Sequence, residues 1–205
     1  MNEQEAVLSS RWKERMSQSW IGYYADLFFY PVVVIGFLLY DLADRGFAFH
    51  PLWWLALSCG GMIWPLVEYL LHRFVYHEVS VIRDLHGMHH AHPNDLVGAP
   101  LWVSIASFSS LLWFLTRSWG FEIACGFTGG LMLGYVSYLV IHNAVHRWPL
   151  GEKSWMRNYR LRHIRHHRHP LPGNFGVTTG FWDYVFGTEI VSERTRGSRA
   201  AGAAK

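Results

Sequence analysis

An all-α integral-membrane fold is predicted, with four transmembrane helices in two hairpins beneath a helical cap on one side of the bilayer. Three observations predict it. The 205-residue chain is 51% hydrophobic and 17% aromatic, and its apolar residues fall in four long blocks. Nearly all of its Lys and Arg lie in the stretches that four crossings would place on one side. Its 13 His gather in clusters directly after the second and fourth blocks.

The blocks are Trp20–Tyr40, Pro51–Leu71, Ala99–Thr116 and Phe121–Ile141. Each is long enough to cross a bilayer, which takes about 20 residues. Asp26 and Pro31 interrupt the first, Pro65 and Glu68 the second, Glu122 the fourth. Asp26 and Glu122 sit near block ends, where water is close. Glu68 is deeper and needs a partner, because an ionised carboxylate in hydrocarbon is costly. Only Arg117–Gly120 separate the third and fourth blocks, and only Asp41–His50 the first and second, so each pair is expected to form a helical hairpin. Trp20, Trp53, Trp102 and Trp119 stand at block edges, as in an interfacial aromatic belt.

Four crossings put Met1–Ser19, His72–Gly98 and His142–Lys205 on the same side. Of 18 Lys and Arg, three precede the first block, two lie in His72–Gly98 and eleven follow the fourth. Only Arg45 and Arg117 fall in the opposite loops. The positive-inside rule therefore makes both termini and the cap cytoplasmic. The same asymmetry accounts for the basic run Arg147–Arg168 without a nucleic-acid partner. The N-terminal segment, residues 1–19, lacks the apolar core and cleavage site of a signal peptide, so the first block is expected to stay as an anchor. Residues 20–191 form the membrane domain, and residues 192–205, rich in Gly, Ala and Arg, read as a disordered tail. Cys59 and Cys125 both lie in apolar blocks and offer neither a disulfide framework nor a Cys-based metal site.

Ten of the histidines form four clusters. His72 and His77 make H-x4-H, His86, His89 and His90 make H-x2-H-H, His142 and His146 make H-x3-H, and His163, His166 and His167 make a second H-x2-H-H. Residues at i, i+3 and i+4 share one helical face, so each H-x2-H-H can point at one centre. His72 and His77 lie about 140° apart on an α-helix and can bracket a centre only by reaching around it or through a break in the helix. Neutral imidazole suits Fe, Zn and Cu. Ten imidazoles exceed the needs of one ion and match two, with about four or five nitrogens each. His50 lies in the opposite loop and is not expected among the ligands; His92 and His169, each before a proline, are expected at the surface or behind the ligands. Glu68, one turn before His72, is expected to accept an N–H from a ligand imidazole, with Asp84, Asn143 and Asp183 as weaker candidates for that role.

This pattern resembles the fatty acid hydroxylase/sterol desaturase superfamily. The resemblance runs from Trp64 through Leu71-His72-Arg73-Phe74-Val75-Tyr76-His77, His86-Gly87-Met88-His89-His90 with Pro93 and Asp95, His142 to His146 and His163 to His167. It ends with Phe175-Gly176-Val177-Thr178-Thr179 and Trp182-Asp183-Tyr184-Val185-Phe186-Gly187-Thr188. Within the superfamily it is most similar to fatty acid 2-hydroxylases. The resemblance implies that the ten cluster histidines hold two iron ions, with zinc able to take their place in isolated protein. It also implies a membrane lipid hydroxylase that uses O2 as co-substrate. The metal centre would carry the hard chemistry and the protein the positioning. No haem-binding segment is present, which implies an external electron donor, ferredoxin- or cytochrome b5-like. Many relatives carry an acidic residue three positions before the third cluster, where Leu139 stands here, so the substrate they act on transfers less directly.

A desaturase or a carotenoid-type hydroxylase would use the same metal centre; the closing Phe175–Thr188 run favours a fatty acyl or sterol-type substrate. A non-enzymatic metal-binding protein or transporter would place ligands within the spans, which hold no His. No G-x-S-x-G nucleophile motif points to a hydrolase.

Overall fold

The computed structural model describes residues 18–44, 50–96, 98–169 and 171–190. The expected disordered tail, most of the N-terminal segment and Arg45 lie outside the described residues. Those described are helical and contain no strand. Four long helices are α1 (Trp20–Asp44), α2 (Pro51–Leu70, continued by a π-helical turn Leu71–Tyr76), α4 (Leu101–Trp119) and α5 (Phe121–Arg147). Three short ones are α3 (Ser80–Ala91), α6 (Arg157–Arg168) and α7 (Phe181–Val185). Proline marks two starts: Pro51 opens α2, and Pro100 caps α4 in an extended conformation.

Three helices among the described residues are long and apolar enough to cross a membrane: Trp20–Asp44, Pro51–Tyr76 and Phe121–Arg147, with 25, 26 and 27 residues. The expected count of four is thus met by three. α4 has only 19 residues, among them Ser104, Ser107, Ser109, Ser110, Arg117 and Ser118, and this polarity sets it apart.

The bundle is built as a membrane protein's would be, with bulky apolar side chains outside. Phe28, Val32, Leu55, Met62, Trp113 and Phe114 are exposed, whereas the small or polar Asp26, Ala124 and Thr128 face inward beside Tyr30, Trp53 and Trp64. α2 and α5 run in the same direction in close contact. A Cβ added at Gly130 would collide with the carbonyl oxygen of Leu57, and one at Gly60 with that of Phe127. Gly126, Gly130 and Gly134 recur every four residues and so line one face of α5, the small-residue stripe that lets two backbones touch where lipid offers no hydrophobic drive. Asp26, expected near water, is buried instead, and the Ser104 hydroxyl bonds its carboxylate at 2.6 Å.

α1 and α4 run against this pair. Tyr24 reaches Asn143 and Arg147, and Phe37 reaches Phe121. Ser104 meets α1 at Asp26 and Tyr30, while Trp119 meets Phe127. The starts of α1 and α4 therefore share one end of the bundle with the finishes of α2 and α5. That end carries the histidines.

Candidate metal centre

His72 lies in the π-helical turn and His77 caps it. A π-helix closes i→i+5 bonds, with about 4.4 residues per turn, so residues five apart fall about 50° from each other instead of about 140°. The helix break that the H-x4-H spacing demanded takes this form. The His72 and His77 rings stack 5.3 Å apart with an interplanar angle of 23°.

The ten histidines form two groups of five. One holds His72, His77, His86, His90 and His166; the other holds His89, His142, His146, His163 and His167. In each group the nitrogens lie within 4.8 Å of one another. The two groups abut, for the rings of His90 and His167 stack at 4.2 Å.

The spacing allows each H-x2-H-H to point at one centre, but the structure divides each motif between the two groups. His86 and His90 join the first group and His89 the second; His163 and His167 join the second and His166 the first. The reason is angular. Positions i and i+4 differ by about 40° around the helix, whereas i+3 falls about 60° to the other side of i. Centres on either side of such a face divide the motif in this way. Both α3 and α6 therefore reach both groups.

The nitrogen spacings test whether metal ions fit. In the first group His72–His86, His86–His90 and His90–His166 are each separated by 3.0 Å between Nε2 atoms. In the second, His146–His163 is 2.8 Å and His163–His167 3.1 Å. Metal–nitrogen bonds of about 2.1 Å at right angles put neighbouring donors about 3.0 Å apart; a tetrahedron would put them about 3.4 Å apart. The donors of each group are thus close enough to share one ion, and imidazole suits iron, zinc or copper. The buried Nε2 atoms of His77 and His89 have no hydrogen-bond partner, which a bound ion would supply.

Burial also prepares the imidazoles. Desolvation, with neighbouring histidines adding to it, lowers His89 to about 3, His90 to about 4 and His167 to about 2. His166 falls to about 3 by desolvation, although its bond to Gly173 opposes the shift. His86 is lowered further by the same causes. These rings are neutral at physiological pH, the form that binds metal.

Behind the first group stands the loop before α7. His72 Nδ1 donates to the Phe175 carbonyl at 2.5 Å, and His166 Nδ1 to the Gly173 carbonyl at 2.8 Å. These bonds fix the tautomer and leave each Nε2 free for a metal. The carbonyls were not legible as site groups in the sequence; the nearest signal was the Phe175–Thr179 run that contains one of them. Two carboxylates hold this loop. Glu68 accepts from the amides of Val177 and Thr178 and from the Thr178 hydroxyl. Asp183 accepts from the Phe175 and Gly176 amides and from the Thr188 hydroxyl, at 2.8, 2.9 and 2.8 Å. Arg162 donates to the carbonyls of Gly176 and Val177. Asn174, held at φ 54°, ties the loop to Arg162 and Ile190.

The expectation for Glu68 is thus corrected. It bonds no imidazole but holds the loop whose carbonyls do, through the amides of Val177 and Thr178. Asp183 acts in the same way. Asp84 is largely exposed beside Arg83, and Asn143 accepts from Tyr24, so neither serves the imidazoles. The buried Nδ1 atoms of His163 and His167 have no partner among the described residues, so the two groups are supported unequally. His50 sits at the other end of the bundle, buried, bonded to Asp41 at 2.9 Å. His92 and His169 are exposed and belong to neither group.

The chain is similar to known proteins. A family model described as fatty acid hydroxylase matches residues 57–188. Fatty acid 2-hydroxylase of Rattus norvegicus is 35% identical over 150 residues, 65% of this chain and 39% of that protein. Dihydroceramide fatty acyl 2-hydroxylase FAH2 of Arabidopsis thaliana is 32% identical over 166 residues, covering 76% of this chain and 68% of that protein. Ceramide very long chain fatty acid hydroxylase SCS7 of Saccharomyces cerevisiae is 38% identical over 151 residues, 65% of this chain and 38% of that protein. The chain thus spans about two-fifths of the rat and yeast relatives. The solved structure of full-length scs7p, in which only the hydroxylase domain is visible, superposes with a TM-score of 0.70. The identity is 27%, over 86% of this chain and 68% of that one.

Proposed function

This chain belongs to the fatty acid hydroxylase family, and on that premise we propose that it is a membrane-bound, O2-dependent di-iron enzyme that hydroxylates a fatty acyl chain of a lipid. One observation carries the reading: two adjoining groups of five neutral, buried or half-buried histidines at the end of an apolar helical bundle. The names of the relatives place the new hydroxyl on carbon 2 in those proteins, and we extend that position to this chain. The balanced reaction is R–H + O2 + 2 electrons + 2 protons → R–OH + H2O.

The metal pair, when bound, supplies the activation of O2. The chain supplies the rest. His72, His77, His86, His90 and His166 hold one ion; His89, His142, His146, His163 and His167 hold the other. The Gly173 and Phe175 carbonyls aim two imidazoles of the first group, and Glu68 and Asp183 keep those carbonyls in place. The apolar bundle lets a hydrocarbon chain approach from the bilayer while the buried histidines stay out of water. Residues 20–191 act as one hydroxylase domain in this reading.

The test is lipid analysis of membranes from cells with and without the protein, grown under isotopically labelled O2. Acyl chains with a labelled 2-hydroxyl are expected, together with two iron or zinc ions per chain in tag-free purified protein. Alkenyl products without new hydroxyls would make the enzyme a desaturase and overturn the reading.

We also propose four crossings, with α4 as the remaining one, and both termini and the histidine end in the cytoplasm. The strong bias of Lys and Arg toward that end supports this. In a variant with Cys59 and Cys125 replaced by Ala, an impermeant thiol reagent should label Glu152→Cys from the cytoplasmic side and Ser118→Cys from the opposite side. Labelling of both from one side would sink the topology.

A further inference from the structure

α6 carries three of the ten histidines on one face and a row of arginines on the other. At about 100° per residue, His163, His166 and His167 centre on one side of the helix, while Arg157, Leu161, Arg165 and Arg168 fall on the opposite side. Arg157 and Arg168 are exposed, Arg165 is half-buried, and no carboxylate pairs with any of the three among the described residues. Lys153, just before the helix, is exposed as well. Arg162, on the flank, is taken up by the loop carbonyls of Gly176 and Val177.

This face also has a direction. The histidines of α6 meet the ends of the long helices: His163 lies 2.8 Å from His146 at the end of α5, and the His166 ring 4.4 Å from the His72 ring at the end of α2. The arginine face therefore points away from the bundle and from the bilayer that the bundle spans. Only the thickness of one helix, about 10–12 Å, separates that face from imidazoles of both groups. α3 reaches both groups too, but its outer residues include Val81, Arg83 and Asp84, with no excess of positive charge.

We propose that the outer face of α6, formed by Arg157, Arg165 and Arg168, is the docking surface for an acidic one-electron carrier protein. The inference rests on the oxygenase reading above, which requires two electrons per hydroxylation. A negatively charged carrier is drawn to these guanidinium groups and steered on to the face by their field, at a rate that falls as salt rises. Docked there, it stands one helix away from both metal positions. Each visit delivers one electron, the carrier is oxidised by one electron, and two visits complete one turnover.

The test uses the full chain in nanodiscs of neutral phosphatidylcholine. The probes are two acidic carriers, a soluble cytochrome b5 haem domain and a [2Fe–2S] ferredoxin, with basic cytochrome c as the control. Binding is followed by surface plasmon resonance over a range of ionic strength. At least one acidic probe is expected to bind, with an association rate that falls steeply with salt, and cytochrome c is expected not to bind. The triple variant Arg157→Glu, Arg165→Glu, Arg168→Glu should lose at least 10-fold in affinity and most of the salt dependence, whereas Arg83→Glu on α3 should match the parent. Metal content, which the triple variant should keep, shows that the site is intact. If that variant loses metal, single reversals at the exposed Arg157 and Arg168 replace it, each expected to weaken binding several-fold. Failure of both acidic probes to bind, equal binding by parent and reversed proteins, or an effect that appears only when anionic lipid is added would each overturn the proposal. The last would assign the face to lipid headgroups. Because binding is read without turnover, a wrong substrate assignment would leave this result standing.

Discussion

Alanine at His166 is expected to abolish hydroxylation and to remove one metal ion of two, and alanine at His89 to do the same at the other position. The two residues sit at equivalent places in their motifs, yet they belong to different groups: His166 with His72, His77, His86 and His90, and His89 with His142, His146, His163 and His167. Each group loses one of five donors. Removing even a residue that only supports a ligand typically costs about 10- to 100-fold in metal affinity or activity, so loss of a ligand itself should reach at least the upper figure. Elemental analysis of tag-free protein, after dialysis against a mild chelator, should find about one ion per chain in each variant. Double substitution of His89 and His166 should leave none. Both single variants retaining two ions, with turnover near the parent's, would refute the partition. His50→Ala is the contrasting case. Its imidazole bonds Asp41 at the far end of the bundle, and Asp41 is only 2% exposed. Losing that partner should lower stability by about 1–3 kcal/mol. Metal content and turnover per folded molecule should stay as in the parent.

The division of the H-x2-H-H motifs marks where reading the sequence stops. Spacing alone establishes that His86, His89 and His90 share a helical face, because that follows from the helix itself. Whether they share an ion depends on which other helices arrive and at what angle, and local spacing carries none of that. The H-x4-H pair behaves differently. Five residues do not fit an α-helical face, so the misfit itself announced a break, and the π-helical turn at Leu71–Tyr76 is its form. The apolar blocks gave the long helices with starts at Trp20, Pro51 and Phe121. They understated the ends, since α5 continues to Arg147 to carry His142 and His146. The third block also forms a helix, α4, whose Ser and Arg residues make it less apolar than the other three. Glu68 was legible as a buried carboxylate in need of partners, but not as a holder of peptide amides, because its partners are 109 residues away in sequence.

Asp183→Ala is expected to strip the first metal position while sparing the second. The side chain is fully buried and touches no imidazole. Its two oxygens accept from the Phe175 amide, the Gly176 amide and the Thr188 hydroxyl. Burial raises its carboxyl above the ordinary range, and the bonds from Gly176, Thr188 and Phe175, with nearby Arg162, act against that rise. Alanine leaves the two buried amides without an acceptor, at about 1–3 kcal/mol for each, and takes from the half-buried Thr188 hydroxyl one of its partners. The loop then relaxes to find other partners, and the Phe175 and Gly173 carbonyls shift from beneath His72 and His166. Those two ligands belong to the first group. In the second group, His163 and His167 have no such support to lose. A chelator titration followed by elemental analysis should therefore show one ion released at a chelator concentration about 10- to 100-fold lower than in the parent, the other nearly unchanged. Asp183→Asn, which keeps one acceptor oxygen, should fall between the two. Uniform weakening of both ions, or none at all, would mean that the loop does not position the first group, and that the bonds from His72 and His166 to its carbonyls are dispensable for holding metal.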